Sequence, residues 1–379
     1  MPGSLSSLYG GREIAIVSGN GGLAFDSEGR EYIDFFNGHG ASLFGHSDPA
    51  LAEALARASR GIWSSGAGFE SPVRKELAAE LGSILGDGRV YICNSGTEAI
   101  EAALKLAVAL RPDRRRILAC RRSFHGRTAG SLALTFNPKY RTPFKRILTN
   151  VEHFSADDIA SAIDSDTIAV FVEPVQGEGG VYPLAPETGR AISEACARHG
   201  AILAADEIQT GLGRCGAMLA SDVTGLKPDV VCLAKGLAGG LPIGAAVWRS
   251  GLGDFPSHSH GSTYGGNEIT SGVALMALRL IRERNYTEHA ARLGAELREG
   301  LSGVKNGAIK EVRGLGLLNG VELDVPSVDL VKRLQSGGLL SLAAGPRVVR
   351  FLPSFAATSE QVARAVEIFG RALEKGAAQ

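Results

Sequence analysis

The chain has 379 residues, 44% of them hydrophobic, and its 40 Lys+Arg balance 40 Asp+Glu. That length supports a large core and two domains, while a zero net charge argues against nucleic-acid binding and against broad attraction to a membrane surface. No apolar stretch reaches the ~18 residues that span a bilayer, and Met1–Gly11 has no basic segment followed by an apolar core, so a cytoplasmic protein is expected. The five cysteines, Cys93, Cys120, Cys196, Cys215 and Cys232, show no C-x-x-C spacing and no disulfide framework; reduced thiols and no metal centre are expected.

Residues 13 to 36 alternate like a small antiparallel unit. Gly21-Gly22 and Ser27-Glu28-Gly29 turn between short strands such as Leu23–Phe25 and Glu31–Asp34. Asp48-Pro49 then signals a helix through Arg60, with Asp48 at the N-cap and Pro49 at N1. From about residue 72 helices alternate with strands. Val90–Cys93, Arg116–Cys120, Ile168–Val172, Ala201–Ala205 and Val230–Leu233 are continuous apolar runs. Such runs mark strands buried on both faces of a mostly parallel sheet. A long helical stretch, Ser271–Asn285, leaves this layer, and Ile309–Val312, Gly320–Leu323 and Arg347–Phe351 read as strands of a smaller unit. The expected class is α/β: a large domain (48–270) with a mostly parallel central sheet flanked by helices, and a smaller α+β domain (271–379) that also takes in the N-terminal segment 1–47.

Polar, glycine-rich junctions follow these strands. Asn94-Ser95-Gly96-Thr97-Glu98 ends one strand and opens a helix whose apolar positions Ile100, Ala103, Leu104, Ala107 and Val108 share a face. Free backbone N–H groups, the hydroxyls of Ser95 and Thr97 and the positive helix end make a phosphate site; a plain Ser…Glu capping turn is the alternative. In Phe124-His125-Gly126-Arg127-Thr128 the aromatic ring can stack on a flat cofactor and Arg127 can pair bidentately with a carboxylate. Taken alone, Arg127 reads as a surface cation, and His125 reads as a packing residue. Glu173, Gln176 and Glu178 bring polar groups to the end of the third run, either into a ligand site or into a solvated loop. Gly261–Asn267 adds Thr263 and further donors ahead of a helix, a weak signal by itself.

The most specific feature is Asp229–Gly244, where an apolar run delivers Lys235 into a glycine-dense turn containing Pro242. An apolar surround penalises an ammonium, lowers the lysine pKa and frees its lone pair for a Schiff base. Twenty-nine residues earlier another apolar run delivers Asp206, with Gln209 three positions on. A lysine to hold an aldehyde and an acid to hold a pyridinium nitrogen together suit pyridoxal 5'-phosphate (PLP).

These blocks, in this order, resemble class III (subgroup II) aminotransferases of PLP fold type I. The strings are NSGTEAIEAA (94–103), FHGRT (124–128), EPVQGEGG (173–180), DEIQTGLGRCG (206–216), AKGLAGGLPIGA (234–245) and GSTYGGN (261–267), and the likeness runs roughly from Gly22 to Phe355. The resemblance implies a homodimer with shared active sites. Lys235 would hold the cofactor aldehyde, Asp206 its pyridinium, and Gln209 would sit near its ring hydroxyl. Phe124 would stack on the ring, with His125 beside it. Ser95, Gly96 and Thr97 would bind the phosphate, and Thr263 would reach the phosphate of the neighbouring subunit's cofactor.

Within the class, FHGRT, EPVQGEGG, VRGLGLLNGVEL (312–323) and RFLPSF (350–355) look like the acetylornithine and ornithine branch. There Arg127 would hold an α-carboxylate, and Glu178 would pair with Arg350 as a gate that opens for glutamate and closes for an ω-amino substrate. The expected reaction moves an amino group between glutamate/2-oxoglutarate and the terminal aldehyde or ketone of an acetylornithine- or lysine-like substrate. The stretch Asp34–Gly40 with Phe44-Gly45-His46 looks more like enzymes acting on lysine or ornithine precursors tethered to an acidic amino-group carrier protein. Basic clusters Arg111–Arg116, Arg121-Arg122 and Lys139–Arg146 could dock such a carrier, or could be solvated loops. The nearest alternative is another reaction on the same scaffold (aminomutase, racemase or decarboxylase). One of a different class is a non-catalytic PLP-binding regulator, which would need no acid on the ring nitrogen.

Overall fold

The computed structural model describes residues 6, 8, 11–66 and 68–377. Most of Met1–Gly11, the stretch expected to carry no targeting signal, lies outside the described residues. Strands β1 (Ile16–Asn20), β2 (Leu23–Asp26) and β3 (Glu31–Asp34) form the antiparallel unit read from the alternation. Gly21 and Gly29 turn between them at φ 57° and 79°, in the left-handed region where a Cβ would be strained. The helix Pro49–Ala58 follows, capped by Asp48, whose carboxylate accepts the Ala50 and Leu51 N–H groups.

The chain then lays down β4 (Arg89–Cys93), β5 (Arg116–Cys120), β6 (Glu152–Phe154) and β7 (Thr167–Val172). A small hairpin of β8 (Val175–Gln176) and β9 (Tyr182–Pro183) comes next, then β10 (Ile202–Asp206), β11 (Val230–Leu233) and β12 (Gly244–Trp248). Seven of these strands form the central sheet in the order β4-β12-β11-β10-β7-β5-β6. Strands β11, β10, β7, β5 and β6 are parallel. β12 is antiparallel to both β11 and β4, so β4 points the same way as the parallel block. The five predicted apolar runs coincide with strands to within one residue at each end.

The runs are continuous because both faces are covered. On one face Ile117, Ala119, Phe171 and Ala204 pack with Ile100, Ala103 and Leu104 of the helix Gly96–Leu110. On the other, Leu118, Val170, Val172 and Leu203 pack with Ile159, Ile192 and Ala195. Each such aliphatic or aromatic side chain contributes roughly 1.5–3 kcal/mol on burial, so neither face tolerates a polar alternation. Two strands of this sheet were not anticipated. β6 is short and polar, and β12 directly follows the Lys235 turn, where its glycine and alanines read as loop. A Cβ on Gly244 would collide with the Ser95 carbonyl, so this strand must begin with glycine to pass the β4 junction.

The predicted helix at Ser271–Asn285 begins earlier. Asn267 caps it by accepting the Thr270 N–H at 3.0 Å, and it runs from Glu268 to Glu283 against the helices Pro49–Ala58 and Pro72–Gly82. Asn285, at φ 47°, turns the chain into a further helix, Tyr286–Gly303. The remaining strands are β13 (Ile309–Leu315), β14 (Leu318–Leu323), β15 (Leu339–Leu340), β16 (Leu342–Ala343) and β17 (Val348–Phe351). They form the sheet β13-β14-β17-β16, while β15 instead joins β3 in the N-terminal sheet. Among the described residues no helix is long and apolar enough to cross a membrane. The C-terminal ends of β4, β5, β7, β10 and β11 all open on one edge of the central sheet, where ligands of α/β folds bind.

Candidate active site

A cavity of about 410 Å³ lies at that edge. Lys235 enters it from the end of β11, on a tight turn with a φ of 44°. That conformation costs a non-glycine residue of the order of 1–3 kcal/mol and holds because the turn is pressed onto its surroundings: a Cβ on Gly236 would meet Leu43. Among the described residues the Lys235 amine has no hydrogen-bond partner. Burial, reinforced by the Arg350 charge, lowers its pKa from 10.5 to about 8, against the pull of Glu178, Asp206 and Glu173.

Asp206 ends β10 and is buried. One carboxylate oxygen accepts the Ile208 N–H at 3.1 Å, and the other lies 2.7 Å from His125 Nδ1. His125 is buried as well, and its Nε2 has no partner. The histidine therefore packs behind the acid and fixes its orientation, a contact the sequence reading did not foresee.

Ser95, Gly96 and Thr97 line the same cavity. Ser95 is the N-cap of the helix Gly96–Leu110, accepting the Glu98 N–H at 3.3 Å, while Glu98 Oε2 accepts the Asn94 N–H at 2.7 Å. The capping alternative and the open helix end therefore coexist. Capping satisfies the Glu98 N–H, and the Gly96 and Thr97 N–H groups keep no partner among the described residues. The Thr97 hydroxyl sits 2.6 Å from Ser131 Oγ and 2.8 Å from Thr128 Oγ1. Gly126, at φ 135°, leaves room for this cluster, since a Cβ there would collide with Thr97 and Ser131.

Phe124 is half-buried and packs edge-on to Tyr140 at 6.0 Å. The Arg127 guanidinium is exposed and rests 3.9 Å from the centre of the Tyr140 ring. Tyr140 thus backs the two lining residues Phe124 and Arg127, and it is too far in sequence from Arg127 to be paired with it by pattern. Glu178 and Arg350 meet at 2.7 Å, although they are 172 positions apart, and Arg350 also donates to Gln209 Oε1 at 3.0 Å. Arg350 is fully buried. Burial alone would raise the Glu178 carboxyl pKa, but the charge and hydrogen bond of Arg350 outweigh it and hold it below the usual range.

Two candidates lie outside the cavity lining: Arg350, which reaches it through Glu178 and Gln209, and Thr263, which is set apart. It is exposed and lines a separate cavity with Tyr91, Glu98, His260 and Tyr264. Asn94 borders both cavities and donates to Ser262 Oγ at 3.0 Å. The basic clusters also divide. Arg111 and Arg114 donate to the carbonyls of Gly200, Thr167 and His199, Arg115 pairs with Asp166, and Arg116 pairs with Glu152 and Asp164. These arginines also precede or open β5, at the edge of the sheet away from the cavity, so the Arg111–Arg116 cluster does not suit docking at the site. Arg122 stacks on Tyr182 at 4.4 Å. Lys139, Lys145 and Arg146 are exposed, and their segment adjoins the mouth through Tyr140.

The chemistry of this lining fits PLP: an unpartnered amine of lowered pKa, a buried and oriented carboxylate, an aromatic ring, and a helix N-terminus with free N–H groups and hydroxyls surround one cavity. The sequence profile of the family described as "Aminotransferase class-III" matches residues 9–373. A putative LysW-aminoadipate semialdehyde/glutamate semialdehyde transaminase of Pyrobaculum aerophilum is 39% identical over 368 residues, 95% of each chain. An acetylornithine aminotransferase of Mycolicibacterium smegmatis is 40% identical over 362 residues, 93% of this chain and 92% of that one. The solved ornithine aminotransferase of Toxoplasma gondii superposes with a TM-score of 0.93 at 32% identity, covering 98% of this chain and 93% of its own. A match of this extent, on a fold and a cavity of this kind, means that the chain belongs to the class-III aminotransferase family of PLP-dependent enzymes.

Proposed function

We propose that this protein moves an amino group between glutamate and the terminal carbon of a lysine- or ornithine-type semialdehyde. The observation that carries this reading is the 2.7 Å pair of Glu178, which lines the same cavity as Lys235, with the fully buried Arg350 behind it. A buried guanidinium neutralised by a movable acid is what a site needs to accept both a dicarboxylate and an ω-amine.

In this reading Lys235 would hold the cofactor aldehyde, and its amine would move the proton at the substrate carbon. Asp206, oriented by His125, would hold the ring nitrogen in its protonated form. Phe124 and Gln209 would border the ring, and the Ser95–Thr97 turn would take the phosphate. Bound PLP supplies the electron sink that allows a carbon-bound proton to leave. Arg127 receives the α-carboxylate of the amino acid. Glutamate's second carboxylate draws Arg350 away from Glu178, whereas an ω-amino donor leaves the pair closed. Lowering the lysine pKa from 10.5 to about 8 makes roughly a tenth of the amine neutral at pH 7, several hundredfold more than for an ordinary lysine, and the neutral form is the proton acceptor.

We further propose a homodimer in which Thr263 serves the neighbouring copy's phosphate site. Its exposure beside Asn94, and the exposed Trp63, Phe69 and Tyr264, support a surface that a second copy covers. Relatives from Pyrobaculum aerophilum and Deinococcus radiodurans bear names specifying LysW-linked aminoadipate semialdehyde. With the exposed cations of Lys139–Arg146 near the mouth, these names favour a substrate presented on an acidic carrier. The acetylornithine aminotransferases of similar identity favour a free substrate.

Stopped-flow loss of the visible absorbance of the PLP-loaded enzyme distinguishes them, with glutamate as control. Acetylornithine is compared with lysine or ornithine linked to an acidic carrier. Rapid bleaching by the tethered amine alone makes the carrier part of the substrate; rapid bleaching by acetylornithine alone removes it. No bleaching by glutamate or by either amine would refute the reading as a whole.

A further inference from the structure

Glu173 is the first residue after β7, is only 6% exposed, and has no part in the roles assigned so far. Its two carboxylate oxygens go to two different loops. One accepts the Phe124 N–H at 2.7 Å, and the other accepts the Gly177 N–H at 3.1 Å. Phe124 follows β5 and lines one wall of the cavity; Gly177 immediately precedes Glu178 and belongs to the turn of the β8–β9 hairpin. β5 and β7 are neighbours in the sheet, but strand pairing stops at Ala119–Phe171, so beyond it this carboxylate ties the two loops together. The second loop has little tolerance: a Cβ on Gly177 would run into Gln209 Oε1, the atom that accepts from Arg350.

We infer that Glu173 is a positioning residue that holds the Phe124 wall and the Glu178–Arg350 gate in register across the cavity, so that cofactor affinity and the choice between donor substrates are both set through it. The inference rests on the functional reading above. Charged and titratable groups facing Glu173 are His125, Asp206, Lys235 and the Cys120 thiol. Burial pushes its carboxyl up to about 7; His125 and the two N–H bonds oppose this, and Asp206 adds to it. A protonated carboxyl accepts more weakly and presents a donor to one of those N–H groups, so the tie is intact above about 7 and weakened below.

The test uses Glu173→Gln and Glu173→Asp, with Phe124→Ala and Glu178→Gln as single-wall controls. Two quantities are read: the Kd for PLP by fluorescence titration of the apoprotein, and the ratio of half-reaction kcat/KM for glutamate against acetylornithine. Glu173→Gln is expected to raise the PLP Kd about tenfold and to shift the donor ratio about tenfold. Phe124→Ala should move only the first quantity, and Glu178→Gln only the second. The wild-type PLP Kd should rise further as pH falls through about 7, beyond the rise set by Lys235 near 8, and Glu173→Gln should lose only that further rise. A Glu173→Gln protein with either quantity at its wild-type value overturns the inference, as does an equal fall in kcat for both donors with an unchanged PLP Kd. If that variant does not fold, Glu173→Asp, one carbon too short to reach both N–H groups, must show both shifts at smaller size, and wild-type values overturn the inference. Wild-type apoprotein that binds no PLP would instead overturn the functional reading.

Discussion

Glu178→Gln separates the two charge states of the proposed gate. Arg350 donates to Glu178 at 2.7 Å and to Gln209 at 3.0 Å, and its Nε is buried without a partner. Removing the carboxylate charge leaves a fully buried guanidinium with neutral acceptors alone. At an effective dielectric of ~20 a contact pair is worth about 4 kcal/mol of Coulomb attraction. The 33% exposure of the Glu178 side chain reduces this to about 2 kcal/mol. The sign depends on the substrate. Glutamate brings its own carboxylate to Arg350 and no longer competes with Glu178, so its KM should fall about 30-fold. An ω-amino donor leaves the guanidinium uncompensated, and its kcat/KM should fall. Single-turnover stopped flow on the PLP-loaded variant, with each donor in turn, gives the ratio directly. Equal weakening of both donors would refute the gate. The Glu178 carboxyl is held below the usual range because Arg350 outweighs burial. A depressed carboxylate pKa keeps the pair intact above the ordinary value and loses it only as pH falls through the depressed one. In the Glu173→Gln background, where the titration near 7 is absent, the donor ratio should therefore be flat across neutral pH and move toward that of Glu178→Gln only in acid.

Lys235→Ala should lower turnover by at least ~10³-fold while leaving the fold intact; multiple turnovers by a purified variant would contradict the assignment. The rate at which apoprotein captures PLP, followed by visible absorbance, should rise with pH through a midpoint at about 8 to a plateau above it, because the neutral lysine is the reactive form. A midpoint near the ordinary lysine value of 10.5 would show that burial does not act on this amine. Arg127→Ala should raise KM about 30-fold for amino acids with a free α-carboxylate, the loss of a charge-assisted pair; a small, uniform effect on all substrates in steady-state assays counts against its role. Neutralising Lys139, Arg141, Lys145 and Arg146 together should weaken only a carrier-linked substrate, and mostly at low salt. Unchanged KM for that substrate across a salt series would exclude docking by this segment.

Local patterns carried much of the architecture. Residues such as Ile168–Val172 lie under helices on both faces, so the chain must spell a continuous apolar run, and that run is readable without a structure. The Asp48-Pro49 start is readable for the same local reason, because a cap and its N–H groups lie within three residues of each other. β12 was not readable: its small residues answer to the Ser95 carbonyl and to neighbouring strands, not to any period of their own. Nor could sequence reveal that the guanidiniums of Arg111–Arg116 are occupied by backbone carbonyls and carboxylates, since a run of charges looks the same whether paired or free.

The chemistry of the site divides along the same line. The sequence alone determined which reactive groups exist and that each stands at a strand end: Lys235 in a glycine-dense turn, Asp206 after an apolar run, Ser95-Gly96-Thr97 ahead of a helix. Only the tertiary structure decided what each one faces. It set His125 against Asp206, Tyr140 under Arg127, Glu178 on Arg350, and Glu173 between two loops, and it left Thr263 outside the main cavity. The physical reason is range. Caps and apolar periods are fixed by neighbours a few residues away, whereas charge pairing and burial are fixed by groups brought together from tens to hundreds of positions apart once the parallel sheet aligns its strand ends on one edge.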